Sequence, residues 1–178
     1  KDIQSIAGHP DPFNDFSGGG YFYLDNLDRA VIATANGHIL VVAENKAHNG
    51  FVLRRDYNLS SKLRSGEIMN SVLLDSSRRL WFVTKKDGVV GTIARRSGRV
   101  HLMRLGSGSN GEIENSFAVG APRDVYIASN RRLYRFTADS TGGPRVVWSV
   151  RYRRIAATKP GQVDNGTGTT PALLPGGH

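Results

Sequence analysis

An internal repeat with a spacing of 45 residues runs through this chain of 178 residues. The segment 66–71, GEIMNS in one-letter code, returns at 111–116 as GEIENS. The same spacing carries the apolar block 80–84 onto 125–129, so two separate segments keep one register. A period of roughly 40 to 50 residues indicates repeated small units that bury their apolar faces against one another. The repeat predicts architecture and names no reaction, because no catalytic motif accompanies it.

Turn residues divide each repeat into four short strands. Asn36-Gly37 in the first repeat and Asp87-Gly88 in the second supply the positive φ that a tight hairpin turn requires. Asn130 is predicted to take this place in the third repeat, because Asn visits the left-handed region more readily than most residues. In the second repeat the strands are expected at 68–74, 79–84, 89–94 and 100–105.

The second strand of each later repeat, at 80–83 and 125–128, is apolar without alternation, which predicts burial on both faces. Gly, Asn and Asp interrupt the apolar runs before a helix could form. Four-stranded units packed face to face are typical of β-propeller blades. We therefore predict an all-β propeller, with complete blades at 17–56, 67–105 and 112–151 and partial blades at 1–16 and 166–178.

Closed propellers contain roughly four to eight blades, so three complete blades predict a fragment of a larger propeller. The remaining blades are expected from the full-length chain or from an oligomer. An insertion is predicted in the first repeat, at 44–49. Trp81 and Trp148 are expected in the core between blades. Asp25 and Asp28 are expected in a polar hairpin turn, with a surface Ca²⁺ clip as the alternative.

The net charge of +9 raises the possibility of a polyanion-binding surface. The basic pairs lie mostly at strand ends and turns, and successive turns of a propeller alternate between its two faces. We therefore expect the pairs to be spread over both faces, which disfavours a nucleic-acid partner. The pairs are at 54–55, 78–79, 85–86, 95–96, 131–132 and 153–154.

The chain contains no cysteine, which excludes disulfides, thiolate nucleophiles and cysteine-based zinc sites. Its five histidines show no metal-ligand spacing. No apolar run approaches the roughly 18 residues of a membrane-spanning helix, so no membrane span is expected. We expect an extracytoplasmic or secreted protein whose signal segment lies outside this sequence.

The third repeat resembles the repeat of quinoprotein-like (PQQ-type) β-propellers. That pattern is an apolar strand, a Ser-Asn/Asp-Gly turn, a Leu-Tyr-x-aliphatic strand, then Thr-Gly and a closing Trp. Residues 125–136 and 142–148 resemble it, with Trp148 at the closing position and without the glycine of the turn. The segments 20–26 and 159–162 also resemble segments of secreted bacterial propeller proteins of unassigned function. The resemblance covers about 17–174 and implies a fold superfamily.

The quinoprotein dehydrogenases of that superfamily hold PQQ in the central funnel, with a Ca²⁺ ion bound by Glu and Asn and a catalytic Asp. No residue of this chain matches that set individually. The resemblance therefore assigns no catalytic residue here, and Ca²⁺ and PQQ remain open as cofactors.

A binding site is predicted at the mouth of the axial channel, where a connection enters the innermost strand of each blade. Converging carboxylates and amides there could bind a ligand or a Ca²⁺ ion, which takes six to eight oxygens. The alternative is a structural role, in which these side chains hold water and tie blades together. The candidate residues are Glu67, Asn70, Ser71, Glu112, Asn115, Ser116, Asp164, Asn165 and Thr169.

Two classes of function follow from these patterns. The first is a propeller binding or scaffold module that engages a small molecule or a protein at the channel mouth. The second is an enzyme, either a quinoprotein-like oxidoreductase or a Ca²⁺-dependent propeller hydrolase that uses Glu67, Glu112 and Asp164 around a metal. The sequence leaves both open.

Overall fold

Three antiparallel sheets of four strands each make up the computed structural model, which describes residues 20–106, 111–153, 166–167 and 169–174. We call the sheets blades 1, 2 and 3. Blade 1 contains β1 (Phe22–Leu24), β2 (Ala30–Ala33), β3 (His38–Glu44) and β4 (Phe51–Asn58). Blade 2 contains β5 (Met69–Leu74), β6 (Arg79–Thr84), β7 (Val89–Ala94) and β8 (Val100–Arg104). Blade 3 contains β9 (Ala118–Gly120), β10 (Asp124–Ala128), β11 (Arg132–Ala138) and β12 (Pro144–Arg151).

The repeat seen in the sequence is a structural equivalence between blades 2 and 3. Leu74 pairs with Leu80 in blade 2, and Val119 pairs with Val125 in blade 3, at the same 45-residue spacing. Each blade is a meander in which consecutive strands pair. Connections from odd to even strands therefore lie at one end of a sheet. Connections from even to odd strands lie at the other end, which we call the entry end because the chain enters β5 and β9 there.

Blade 1 is equivalent to blade 2, but the sequence spacing between equivalent residues is longer than 45 and blade 1 contains an insertion. Leu24 pairs with Ala30 as Leu74 pairs with Leu80, which is an offset of 50 residues. The third and fourth strands of blade 1 are paired out to Asn58, and most of the extra residues form the hairpin between β3 and β4. The extra length thus lies in the hairpin that contains the segment 44–49, and one of the extra residues is a bulge in β4.

Strand β6 is buried on both faces, as its uninterrupted apolar sequence predicts. Leu80 and Phe82 pack into a core shared with blade 1, and Trp81 and Val83 pack into a core shared with blade 3. All four side chains are at most 1% exposed. Because one strand supplies both interfaces, blades 1 and 3 are positioned by the same backbone.

Several hairpins use one turn, in which a first Asp binds the backbone of its own loop. Asp25 Oδ1 accepts hydrogen bonds from the amides of Leu27 and Arg29, and the last turn residue, Asp28, has a φ of 53°. The other oxygen of Asp25 accepts the guanidinium of Arg29 at 2.9 and 2.5 Å. Both oxygens are thus engaged within the protein, as the polar hairpin turn predicts.

Asp75 repeats this turn in blade 2, where Arg78 has a φ of 61°, and Asp139 repeats it in blade 3, where Gly142 has a φ of 91°. The prediction for Asn130 is wrong, because it is not among the positive-φ residues of the described chain. Its backbone amide and side chain are instead bound to a neighbouring segment.

Trp148 is not a core residue. It lies on β12, the outermost strand of blade 3, and 38% of it is exposed. Its ring packs on Tyr126 with ring centroids 6.2 Å apart. In the described part of the chain, the core of blade 3 is shared with blade 2 on one side only, which leaves the face carrying Trp148 more open.

A substitution at Gly91 tests the packing of β6 against β7. A Cβ atom at Gly91 would lie 2.1 Å from the ring of Phe82, which is fully buried. We expect Gly91→Ala to lower the free energy of unfolding by about 1 to 3 kcal/mol, because the ring must leave its position. Gly50→Ala is the matched control, since its Cβ would first meet a side-chain amide at 3.2 Å. Urea unfolding measures both, and equal effects would contradict this packing.

Candidate functional site

The repeated Asn and Ser residues are neighbours across blades 2 and 3 at the entry end. The Oγ atoms of Ser71 and Ser116 lie 2.6 Å apart. The side-chain amide of Asn70 donates to the backbone oxygens of Ile113 and Asn115, each at 3.1 Å. The structure therefore brings together four of the predicted site residues.

Tyr21 extends this contact to blade 1. Its hydroxyl donates to Oδ1 of Asn115 at 3.1 Å. Tyr21 precedes the Asp25 turn as Ser71 precedes the Asp75 turn, so Tyr21, Ser71 and Ser116 are equivalent positions in three blades. Sequence analysis missed Tyr21 because blade 1 keeps an offset of 50 residues instead of 45.

Burial raises the pKa of the Tyr21 hydroxyl above its ordinary value of 10.0, and the nearby carboxylate of Glu114 raises it further. Tyr21 is therefore a neutral hydrogen-bond donor at physiological pH. Glu114 lies 3.2 Å from the ammonium group of Lys85. We call Tyr21, Ser71, Glu114, Asn115 and Ser116 the three-blade cluster.

Glu67 is held inside blade 2. Its carboxylate accepts hydrogen bonds from Nε and Nη2 of Arg104 at 2.6 and 2.8 Å, and from the backbone amide of Arg64 at 2.7 Å. Burial by itself raises the pKa of this side chain, but the bonds from Arg104 and Arg64 outweigh it, so the pKa lies below its ordinary value of 4.5. Glu67 is ionised and fully engaged.

Glu112 has the equivalent place before blade 3. Its side chain accepts the amide of Asn130 at 3.1 Å, and its backbone oxygen accepts the amide N–H of Asn130 at 2.8 Å. Each repeated glutamate therefore fixes its entry segment to a nearby loop or strand. Among the residues that the structure describes, no group of three acidic or histidine side chains could hold a metal ion.

Of the three predicted residues in the last connection, one lies in the described part of the chain, Thr169. Asp164 and Asn165 lie outside the described residues. Thr169 is exposed, and its hydroxyl donates to the backbone oxygen of Thr170 at 3.4 Å. Its backbone amide donates to the hydroxyl of Thr167 at 3.4 Å. These contacts are local to the segment.

No family model and no curated protein matches the chain. Solved structures do match it. A catalytically inactive virginiamycin B lyase from Staphylococcus aureus, solved with quinupristin, is 16% identical over 81% of this chain and 43% of that chain, with a TM-score of 0.55. A protein from Lactobacillus plantarum is 9% identical over 76% of this chain and 42% of that one, with a TM-score of 0.55. The extracellular domain of the one-component system BT4673 from B. thetaiotaomicron is 16% identical over 75% of this chain and 18% of that chain, with a TM-score of 0.52.

The fold is a partial β-propeller. The matched structures are propeller-like, and the chain spans less than half of their length. At these identities the likeness shows the fold alone, and the quinoprotein resemblance is not confirmed by it. No helix in the described residues has the length and apolar character to cross a membrane.

The Glu67–Arg104 pair makes stability depend on pH. Because the pKa of Glu67 is lowered by folding, its contribution is fully present above the ordinary value of 4.5 and is lost as the pH falls through the lower folded value. We expect Glu67→Gln to be destabilised near neutral pH, and the difference from the parent protein to shrink as the pH falls below the ordinary value of 4.5. Urea unfolding across this range measures it.

Asp28→Asn is the control for this experiment, because Asp28 is an exposed acid and Asn tolerates its left-handed backbone. It should leave the pH dependence close to that of the parent protein. If Glu67→Gln differs from the parent protein by the same amount at both ends of the pH range, the pair does not control the effect.

Proposed function

We propose that the chain is part of a propeller binding module that engages its ligand or partner at the three-blade cluster. One observation carries this proposal: Tyr21, Ser71 and Asn115–Ser116, which come from three successive repeats, meet in one hydrogen-bonded group. Side chains that lie far apart in the sequence are thereby presented together at the entry end of the sheets.

The chemistry of the cluster favours a polar ligand of low charge. Tyr21 contributes a neutral hydroxyl, Asn115 an amide and Ser116 a hydroxyl, and all three are half-buried. Glu114 contributes a carboxylate whose charge is offset by Lys85 at 3.2 Å. A ligand with amide or hydroxyl groups would find both donors and acceptors here. Because the backbone around these groups is fixed by Asn70, little ordering would be needed on binding.

The enzymatic alternatives have less support from the geometry. A Ca²⁺-dependent hydrolase or a quinoprotein-like oxidoreductase would use Glu67, Glu112 and Asp164 around a metal, and Asp164 lies outside the described residues. Arg104 and the Arg64 amide occupy the carboxylate of Glu67, and Asn130 binds that of Glu112. Virginiamycin B lyase shows that a structurally similar protein holds quinupristin, and that compound is a useful probe here.

A fragment screen tests the proposal. Neutral amide and sugar fragments, together with quinupristin, would be added to the full chain, and backbone amide shifts would be recorded by NMR. We expect the shifts to concentrate on residues 70–71 and 114–116. Tyr21→Phe should weaken binding about fivefold, roughly 1 kcal/mol, because it removes the hydroxyl that orients Asn115 and that can accept a hydrogen bond from the ligand.

Tyr23→Phe is the matched control, since Tyr23 lies in the same strand region and packs against the core between blades 1 and 2. It should bind the fragments like the parent protein. Shifts that cluster at another surface, or the absence of any binding compound, would overturn the assignment. A thermal shift with Ca²⁺ and PQQ that requires Glu67 would instead favour the enzyme.

A further inference from the structure

A surface groove between blades 1 and 2 collects seven arginines. It has a volume of about 680 Å³ and contains no Asp or Glu among its described lining residues. Three basic pairs meet there, while two others lie at the opposite end, so the pairs occur at both ends as expected but three of them converge on one groove. The pairs at 85–86 and 131–132 follow β6 and β10 at the entry end. The arginines of the groove are Arg29, Arg54, Arg55, Arg78, Arg79, Arg95 and Arg96.

The meander topology explains this convergence. Arg29 follows the β1–β2 turn, Arg78 and Arg79 end the β5–β6 turn, and Arg95 and Arg96 begin the β7–β8 turn. All three connections run from odd to even strands, so they share the end of the sheets opposite the three-blade cluster. The groove is thus a different place from the site proposed above.

Strand β4 adds two more arginines through a bulge. Val41 pairs with Arg55 and Val42 pairs with Leu53, so Arg54 is the extra residue. A bulge of this kind sends neighbouring side chains in directions that a regular strand would not allow. Arg54 and Arg55 therefore both line the groove.

Contacts within the protein fix four of the seven guanidinium groups. Arg29 and Arg95 lie 2.5 and 4.0 Å from Oδ2 of Asp25. Arg79 donates to the backbone oxygen of Gly142 at 2.8 Å, and its Nε is buried without a hydrogen-bond partner. Arg55 lies over the ring of Tyr57, 4.7 Å from its centroid. These contacts hold Arg29, Arg55 and Arg95 in place at the groove, whereas the guanidinium of Arg79 is held against blade 3. Asp25 supplies one negative charge.

The other three arginines, Arg54, Arg78 and Arg96, are exposed, and no carboxylate of the described chain pairs with them. Gathering like charges in one groove costs free energy unless counter-ions or a ligand offset it. The arrangement therefore favours a ligand that carries several negative charges close together.

We propose that this groove binds a compact polyanion bearing several phosphate or sulfate groups. The planar guanidinium fork matches the oxygens of such groups and binds them through two parallel hydrogen bonds. The volume lies in the range of roughly 300 to 1,000 Å³ found for small-molecule sites. Nucleic acid fits less well, because Tyr57 is only 7% exposed and lies under Arg55, so no lining residue offers a stacking surface for bases.

Calorimetric titration of the full chain tests this proposal. Inorganic tripolyphosphate and sucrose octasulfate serve as phosphate and sulfate probes, each at low and at moderate salt. We expect binding of at least one probe that weakens as salt rises, because the contacts are charged. The probe that binds more tightly is the preferred probe for the variants.

The key variant replaces the three unpaired cations, as Arg54→Gln, Arg78→Asn and Arg96→Gln. Asn is used at position 78 because the backbone there is left-handed. We expect this variant to lose at least tenfold in affinity for the preferred probe. The control removes the same charge from exposed arginines of blade 3, as Arg131→Gln, Arg145→Gln and Arg151→Gln, and should lose less than threefold.

Three results would overturn the proposal. The first is no binding of either probe at low salt. The second is an equal loss of affinity in both triple variants, which would show a response to net charge alone. The third is tighter binding of a single-stranded DNA of equal charge, which would indicate a nucleic-acid surface. Binding of neutral fragments at the three-blade cluster is independent of all three results.

Discussion

The side-chain amide of Asn70 is the contact on which the arrangement of blades 2 and 3 depends. It is 1% exposed and donates to two backbone oxygens, those of Ile113 and Asn115. Leaving a buried carbonyl without a donor costs about 1 to 3 kcal/mol, so two such contacts matter beside the small net stability of a domain. The amide of Ile113 in turn donates to the backbone oxygen of Lys85 at 2.9 Å. The chain is thereby fixed between the blades before β9 begins.

This link has consequences for both ends of the molecule. At the entry end it holds the segment that carries Glu114, Asn115 and Ser116 against Tyr21 and Ser71. At the opposite end, the turn before Gly143 reaches blade 2, where the carbonyl of Gly142 accepts both Arg79 and the hydroxyl of Thr92. Strand β6, with both faces buried, separates the two ends by a rigid interior. A weakly charged cluster and a strongly basic groove can therefore coexist on one small scaffold.

The sequence predicted the regular parts of the fold because local chemistry determines them. Strands β6 and β7 have the bounds expected at 79–84 and 89–94, and Asp87 and Gly88 both adopt positive φ, at 60° and 54°. The repeat with its spacing of 45 residues correctly indicated contacts between blades 2 and 3, because equivalent positions of adjacent blades lie side by side. Trp148 was placed wrongly because the repeat pattern does not say which face has a neighbour.

The features that the sequence did not reveal depend on tertiary geometry. Recognising Tyr21 as the equivalent of Ser71 requires aligning the Asp25 turn with the Asp75 turn, at an offset that differs from the 45 residues of the main repeat. Predicting the groove requires two facts about the tertiary structure. Turns from two blades lie at the same end of the sheets, and a bulge in β4 directs Arg54 and Arg55 toward the groove. Whether Asn130 would take a left-handed conformation was likewise decided by its contact with Glu112.

The central claim is that residues separated by one repeat are neighbours in adjacent blades. Because the chain has no cysteine, the double variant Ser71→Cys and Ser116→Cys tests it without interference. We expect mild oxidation of the folded monomer to form one intramolecular disulfide and to leave no free thiol. Two free thiols in the folded, oxidised protein, or cross-linking only between separate molecules, would contradict the account.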